Sequence, residues 1–96
     1  MADGYRVVDT YGADRDRSEK SETDNVDLAS QLACEELRPR VWFLEPGHDR
    51  KGTHRHETQE ELYVVLRGQG RMTVDGDDLT LPEGGAVRVA PETPRR

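Results

Sequence analysis

The sequence predicts a small all-β domain, and three observations carry this prediction. From residue 40 onward, short runs of β-branched, aliphatic and aromatic residues recur about every 8–12 residues, a spacing typical of antiparallel sandwiches and barrels. Turns that contain glycine or proline separate these runs. The chain has 96 residues, of which 32% are hydrophobic, so it can build one small core but not two domains.

The first 24 residues predict a polar, acidic arm. Eight of the eleven side chains at positions 14–24 are charged, and such a composition is too polar for a core element. Directly after the arm, Asp24 or Asn25 can cap one short helix. We therefore predict an arm at residues 1–24, followed by a single domain at residues 25–96.

The strands of this domain are predicted from residue type and from the turns between them. The continuous apolar run at residues 62–66 indicates a strand buried on both faces. Asp75-Gly76 accepts the positive φ angles of a tight hairpin turn, so the runs on either side of it are predicted to pair antiparallel. The predicted strands are residues 40–44, 62–66, 72–74, 79–81 and 86–90.

Composition excludes several classes of protein. Asp and Glu number 20 against 14 Lys and Arg, a net charge of −6, so the chain repels nucleic-acid phosphates and acidic membrane surfaces. No apolar run reaches ten residues, which argues against a membrane span or a signal peptide, and the single Cys34 cannot form an internal disulfide. These features predict a soluble cytoplasmic protein without nucleic-acid or membrane partners.

The balance among the cations carries a further signal. Twelve of the 14 cations are Arg, and Ile is absent. Together with the abundant acid, this resembles proteins of salt-loving (halophilic) microbes, in which concentrated salt screens an acidic surface. A GC-rich genome produces the same bias, and both interpretations stay open.

The chemically informative segment is the one that holds all three histidines of the chain, within nine residues. In a strand, His54 and His56 project to the same side, about 7 Å apart at the backbone, so one ion can contact both. Glu60 or Glu61 can face them across a turn. Two imidazoles and one carboxylate suit Fe(II), and also Mn, Ni or Zn, with coordination positions left open. Two surface histidines at this spacing are the alternative interpretation.

The spacing around these histidines resembles the first signature of the cupin superfamily, G-x(5)-H-x-H-x(3,4)-E-x(6)-G. The matching residues are Gly47, His54, His56, Glu61 and Gly68. One departure is present, because six residues rather than five separate Gly47 from His54. The resemblance selects Glu61 over Glu60, since only Glu61 has the six-residue spacing to Gly68. It covers about residues 37–96.

The cupin resemblance implies a small antiparallel double-stranded β-helix, or jelly-roll barrel, with His54, His56 and Glu61 as metal ligands in its pocket. It also implies a homodimer, because members commonly associate through their sheets. The family continues into further strands where this chain ends, so the predicted barrel is short at its C-terminus, through truncation of the chain or completion by a partner strand. Tyr63 shares the face of Glu61 and is predicted to line the pocket, with core packing as the alternative.

The second cupin signature, G-x(5)-P-x-G-x(2)-H-x(3)-N, fits less well. With its first glycine on Gly84, Glu92 stands in the second glycine position and Arg95 in the position of the remaining histidine ligand. A guanidinium cannot donate a lone pair. At about 4 Å from a divalent ion it would oppose binding by about 8 kcal/mol at an effective dielectric of ~20.

Four placements of Arg95 are therefore open. It can turn outward and leave a three-ligand metal site, or pair with Glu61 in place of the metal. It can also clamp the carboxylate or phosphate of an anionic ligand, or lie solvated near the chain end.

The sequence thus predicts a small protein that binds a divalent metal, a small anionic ligand, or both, with no assigned reaction. Two alternatives stay open: a metal-dependent small-molecule enzyme of the dioxygenase or isomerase type, and a metal-free barrel kept for dimerisation with a vestigial site. The predicted metal ligands are His54, His56 and Glu61, and the predicted ligand-binding residues are Arg95 and Tyr63.

Overall fold

The structure is a computed structural model that describes residues 4–18, 23–48, 53 and 55–96. Antiparallel strands and one short helix make up its regular structure, an all-β fold as predicted. By contact the chain divides into two compact units, Met1–Arg50 and Lys51–Arg96. The elements are β1 (Asp16–Ser18), β2 (Thr23–Val26), α1 (Leu28–Gln31), β3 (Val41–Phe43), β4 (Glu61–Val64), β5 (Gly70–Val74), β6 (Asp77–Leu81) and β7 (Ala86–Val89).

The first unit contains an antiparallel sheet in the order β1-β2-β3. In the segment for which the sequence predicted a solvated arm, residues 1–24, the structure has strand β1 and the beginning of strand β2. The pairing is compatible with the high charge because the exposed Arg17 of β1 pairs with Asp24 of β2 at 3.0 Å. On the same strand, Asn25 is buried with its polar groups satisfied, since it donates to the carbonyl of Asp16 and accepts from Arg40.

The single turn of helix α1 begins after Asp27, whose Oδ1 accepts from the backbone N–H of Ser30 at 3.2 Å. Hydrogen bonds from Ser30 and the charge of Arg40 hold the pKa of Asp27 below its ordinary value of 3.8. The predicted cap at Asp24 or Asn25 is wrong, because both residues pair within strand β2. An N-cap needs a free side-chain oxygen beside unpaired backbone donors, and Asp27 is the residue that provides it.

The second unit contains two antiparallel pairs, β4 with β7 and β5 with β6. The hairpin turn between β5 and β6 is the predicted one, with φ of 50° at Asp75 and 83° at Gly76. The last residues of the chain pair with the other side of β5, where Thr73 and Arg96 exchange two backbone hydrogen bonds of 2.9 Å. Arg95 bridges to Val74 in the same register.

Strand β4 departs from the prediction that it is buried on both faces. Its residues alternate, with Glu61 and Tyr63 partly buried on one face and Leu62 and Val64 exposed on the other. A continuous apolar run does not distinguish a strand covered on both faces from one covered on a single face. Closure of the strands into a barrel stays a prediction.

The core of the described residues is small. Only two apolar residues, Val26 and Val89, are buried there, together with the polar residues Thr23, Asn25 and Arg95. Within the described ranges, no helix combines the length and apolar character needed to cross a membrane.

Candidate functional site

The candidate site lies where the partly buried face of β4 meets the turn that follows β7. Glu61, the first residue of β4, is the register partner of the buried Val89, and Tyr63 follows on the same face. The segment before β4 is held to that turn, because the backbone N–H of Glu92 donates to the carbonyl of His56 at 2.5 Å. Two backbone contacts within the second unit therefore position His56 and Glu61.

The centre of the site is an ion pair between Arg95 and Glu61. Arg95 is fully buried, and its Nη1 donates to Oε1 of Glu61 at 3.0 Å. Its Nη2 donates to the carbonyl of Ala90 at 2.8 Å. Its Nε is buried and has no hydrogen-bond acceptor among the described residues. Both terminal nitrogens of the guanidinium are thus hydrogen-bonded, whereas the buried Nε lacks an acceptor among the described residues.

Glu61 connects the other side chains of the site. Its Oε1 also accepts from the hydroxyl of Tyr63 at 2.6 Å, a short and strong hydrogen bond to a charged oxygen. Its Oε2 lies 3.3 Å from Nε2 of His56, which forms an ion pair with it when the imidazole is protonated. One partly exposed carboxylate therefore fixes a cation, a phenol and an imidazole relative to one another.

The structure brings together four of the five residues that the sequence predicted for the site: His56, Glu61, Tyr63 and Arg95. The fifth, His54, lies outside the described residues. Arg95 is neither solvated nor turned outward, and the geometry is the pairing with Glu61. Whether these residues bind a metal or another ligand stays a prediction.

The described residues do not by themselves fit a divalent cation. No three His, Cys, Asp or Glu side chains among them lie close enough together to hold one. His56 and Glu61 offer donor atoms, but Oε1 of Glu61 already accepts from Arg95 and Tyr63. A cation at that carboxylate would meet the guanidinium charge at close range, so it would have to displace Arg95 from its buried position.

Two backbone features of the site were not predicted. The carbonyl of Ala90 accepts from Arg95, and Glu92 adopts a positive φ of 65°. The sequence did hold a signal for the second feature, because Glu92 stands where the second signature has glycine, the residue that takes such a φ most easily. The carbonyl contact had no such signal, since any residue type supplies a backbone oxygen.

The third histidine, His48, makes a contact outside the candidate site. Nε2 of His48 lies 3.1 Å from Oγ1 of the buried Thr23, in the first compact unit. A threonine hydroxyl can donate to or accept from an imidazole, so this contact gives the buried hydroxyl of Thr23 on β2 a partly buried partner. His48 thus has a contact within its own unit that accounts for its placement.

Comparison with known proteins agrees with the predicted family. The family model described as Cupin domain matches residues 40–96, more than half of the chain. An uncharacterized protein of Methanocaldococcus jannaschii, MJ1618, is 37% identical over 43 residues, which are 45% of this chain and 34% of that protein. The match thus spans about a third of that relative's length, and no solved structure matches. Because the family model matches more than half of its residues, this chain belongs to the cupin family.

Proposed function

We propose that this cupin domain binds a small anionic ligand, a carboxylate or a phosphate, at the site formed by Arg95 and His56. In this proposal the guanidinium supplies the positive charge that a divalent ion would otherwise supply. The domain acts as a binding module, and no reaction is assigned to it. The proposal is supported chiefly by one observation, the unmet buried donor of Arg95.

That donor favours a ligand that carries oxygen acceptors. The Nε of Arg95 is buried without an acceptor among the described residues. A buried donor left unsatisfied costs about 1–3 kcal/mol, and an oxygen atom of a bound carboxylate or phosphate would remove this cost. Arginine is also the side chain whose geometry matches these groups best, because its planar fork presents parallel N–H donors.

The charges around the site support an anion over a cation. Glu61 carries one negative charge, Arg95 carries one positive charge, and His56 adds a second positive charge when it is protonated. The site is then net positive, in a chain whose formal charge is −6. A local positive region attracts small anions.

Two side chains of the site are partly exposed, so a ligand can reach them from solvent. His56 and Tyr63 are both partly exposed, and both are oriented by Glu61. Glu61 is therefore a positioning residue in this proposal, because it holds the imidazole, the phenol and the guanidinium in one arrangement before the ligand arrives. Such preorganisation lowers the entropy that binding must offset.

The experiment is calorimetric titration of the full chain with inorganic phosphate and with succinate as probes. We expect one of the two to bind, and Arg95→Gln to weaken that binding at least tenfold. The matched control is Arg88→Gln, which removes an arginine from an exposed pair with Glu60 and should leave binding unchanged. Equal binding by the wild type and Arg95→Gln would overturn the proposal, as would no binding of either probe.

Metal analysis by mass spectrometry on the purified protein separates this proposal from the metal hypothesis. Stoichiometric metal, lost in a folded His54→Ala/His56→Ala variant, would show a metal site despite Arg95. Metal at trace level in the wild type, with affinity raised in Arg95→His, would show that the arginine occupies the place of a ligand. The proposal expects only trace metal in the wild type and in Arg95→Gln, together with loss of anion binding in Arg95→Gln.

A further inference from the structure

Residues 93–96, which we call the strap, pair with one edge of β5 through few backbone contacts. Among the described residues, three hydrogen bonds of 2.9 Å make this contact: Thr73 and Arg96 exchange two, and Asp75 donates the third to Pro94. On its other edge, β5 pairs with β6 along its whole length. Segments held by few hydrogen bonds and little buried apolar surface open locally first, so we expect the strap to undock before the hairpin opens.

The strap carries the arginine of the proposed anion site. Arg95 is fully buried, and this burial includes Nε, the donor that lacks an acceptor among the described residues. A ligand in solvent therefore cannot contact Nε while the strap is docked, although His56 and Tyr63 of the same site are partly exposed. Some part of the site has to move before an anion can meet this donor.

The residue before the strap has the properties of a hinge. Glu92 has a φ of 65°, which is unfavourable for a residue with a side chain and persists only where surrounding contacts impose it. Undocking of the strap releases Glu92 from this conformation, and this release offsets part of the cost of the lost contacts. The N–H of Glu92 donates to the carbonyl of His56, so the start of the strap stays beside the site when the rest moves.

We infer that the strap opens at Glu92 to admit the anion and closes over it, an inference that rests on the proposed anion site. In the closed arrangement Arg95 donates to Glu61 at 3.0 Å and to the carbonyl of Ala90 at 2.8 Å, so docking of the strap sets the position of the guanidinium. An oxygen atom of the anion then gives the buried Nε its acceptor. Because this buried contact exists only when the strap is docked, a bound anion shifts the strap toward its closed state.

The first test is residue-resolved hydrogen exchange of the full chain without ligand, followed by NMR. The reporters are the amides of Thr73, Asp75 and Arg96, which donate across the contact between the strap and β5. The controls are the amides of Met72 and Val74, which alternate with the reporters along β5 and face β6. We expect the three reporters to have similar protection factors, at least tenfold below those of the controls, because one local opening exposes all three. Reporters as protected as the controls would overturn the inference.

The second test repeats the exchange with phosphate or succinate, whichever binds, at about ten times its Kd. We expect protection of the reporters to rise at least fivefold, because an opening that releases the anion becomes rarer by a factor of about 1 + [L]/Kd. The rise should be absent in Arg95→Gln and present in the control Arg88→Gln, whose arginine is in an exposed ion pair.

The outcomes separate the strap from the anion site. A probe that binds without a change in the protection of the reporters, or with a decrease, would overturn closure of the strap and leave the anion site standing. Absence of binding by both probes would overturn the anion site, and closure over an anion with it. In that case the exchange of the free chain would still decide whether the strap opens as a unit.

Discussion

At the scale of single residues, two Arg–Glu ion pairs within the described part of the chain have nearly the same length but different surroundings. Arg95 pairs with Glu61 at 3.0 Å and is fully buried, whereas Arg88 pairs with Glu60 at 2.9 Å with both side chains largely exposed. Water screens the exposed pair, so its contribution to stability is small. Removal of one partner from a buried pair leaves a poorly solvated charge, and this loss is much larger.

We therefore predict that Arg95→Gln lowers the free energy of unfolding by about 2 kcal/mol, less than for a fully buried pair because Glu61 is partly exposed. Arg88→Gln, the matched control, should lower it by less than about 1 kcal/mol. Urea denaturation followed by circular dichroism measures both. Equal losses in the two variants would mean that the burial of Arg95 does not matter to stability.

A second residue-scale prediction concerns Glu92, whose φ of 65° is in the left-handed region. This conformation costs a residue with a side chain about 1–2 kcal/mol, and glycine avoids that cost at some loss of unfolded-state entropy. We expect Glu92→Gly to raise the free energy of unfolding by about 0.5–1 kcal/mol.

The control for this prediction is Glu92→Ala, which removes the same carboxylate but keeps the unfavourable φ. It should give no gain in the same urea titration. If alanine and glycine stabilise the protein equally, the carboxylate rather than the backbone is responsible.

At the scale of elements, the features that depend only on residues adjacent in the sequence were predictable. Asp75-Gly76 fixed the β5–β6 hairpin, because the positive φ angles of that turn are a local property. The strands β1 and β2 were missed, because their charged side chains suggest solvation and only pairing with each other and with β3 accounts for them. The exposure of one face of β4 was also not predicted, because other elements of the fold decide which faces of a strand are covered.

The cap of α1 gives an element-scale prediction about pH. The pKa of Asp27 is lowered by its hydrogen bonds from Ser30 and by Arg40, so its charged form stabilises the folded chain. That stability is fully present above the ordinary pKa of 3.8 and is lost as the pH falls through the lower folded value. Asp27→Asn keeps a capping side chain but removes the charge.

We expect Asp27→Asn to melt below the wild type at pH 7, and the difference to disappear as the pH falls below 3.8. Differential scanning calorimetry over this pH range measures it. Asp77→Asn is the control, because it makes the same change in net charge at an exposed residue of β6. A difference that is independent of pH would show that the charge of Asp27 does not contribute.

At the scale of the whole molecule, composition and motif predicted the class of fold but not the arrangement of the site. The spacing of five residues was enough to indicate the cupin family: Gly47, His54, His56, Glu61 and Gly68. The position of Arg95 was not decided by sequence, because four placements of its side chain satisfied the same spacing. Its burial results from the pairing of the last residues with β5, a contact between segments that no local pattern contains.

The net charge of −6 gives the last prediction, which concerns salt. Few apolar residues are buried in the described part of the chain, so repulsion among the acidic side chains is a substantial fraction of a small stability. Salt shortens the screening length from about 10 Å at 0.1 M to about 3 Å at 1 M, which weakens this repulsion. We therefore expect the melting temperature to rise by several degrees between these NaCl concentrations.

The control for the salt prediction is Glu35→Lys/Glu36→Lys, two exposed positions whose substitution changes the formal charge from −6 to −2. This variant should melt higher than the wild type at 0.1 M NaCl and should gain less from added salt, because less repulsion remains to be screened. Chloride is used because sulfate also strengthens apolar burial. A melting temperature that falls with NaCl would mean that attractive ion pairs, such as Arg17–Asp24, outweigh the repulsion, and the acidic composition would then carry no adaptation to salt.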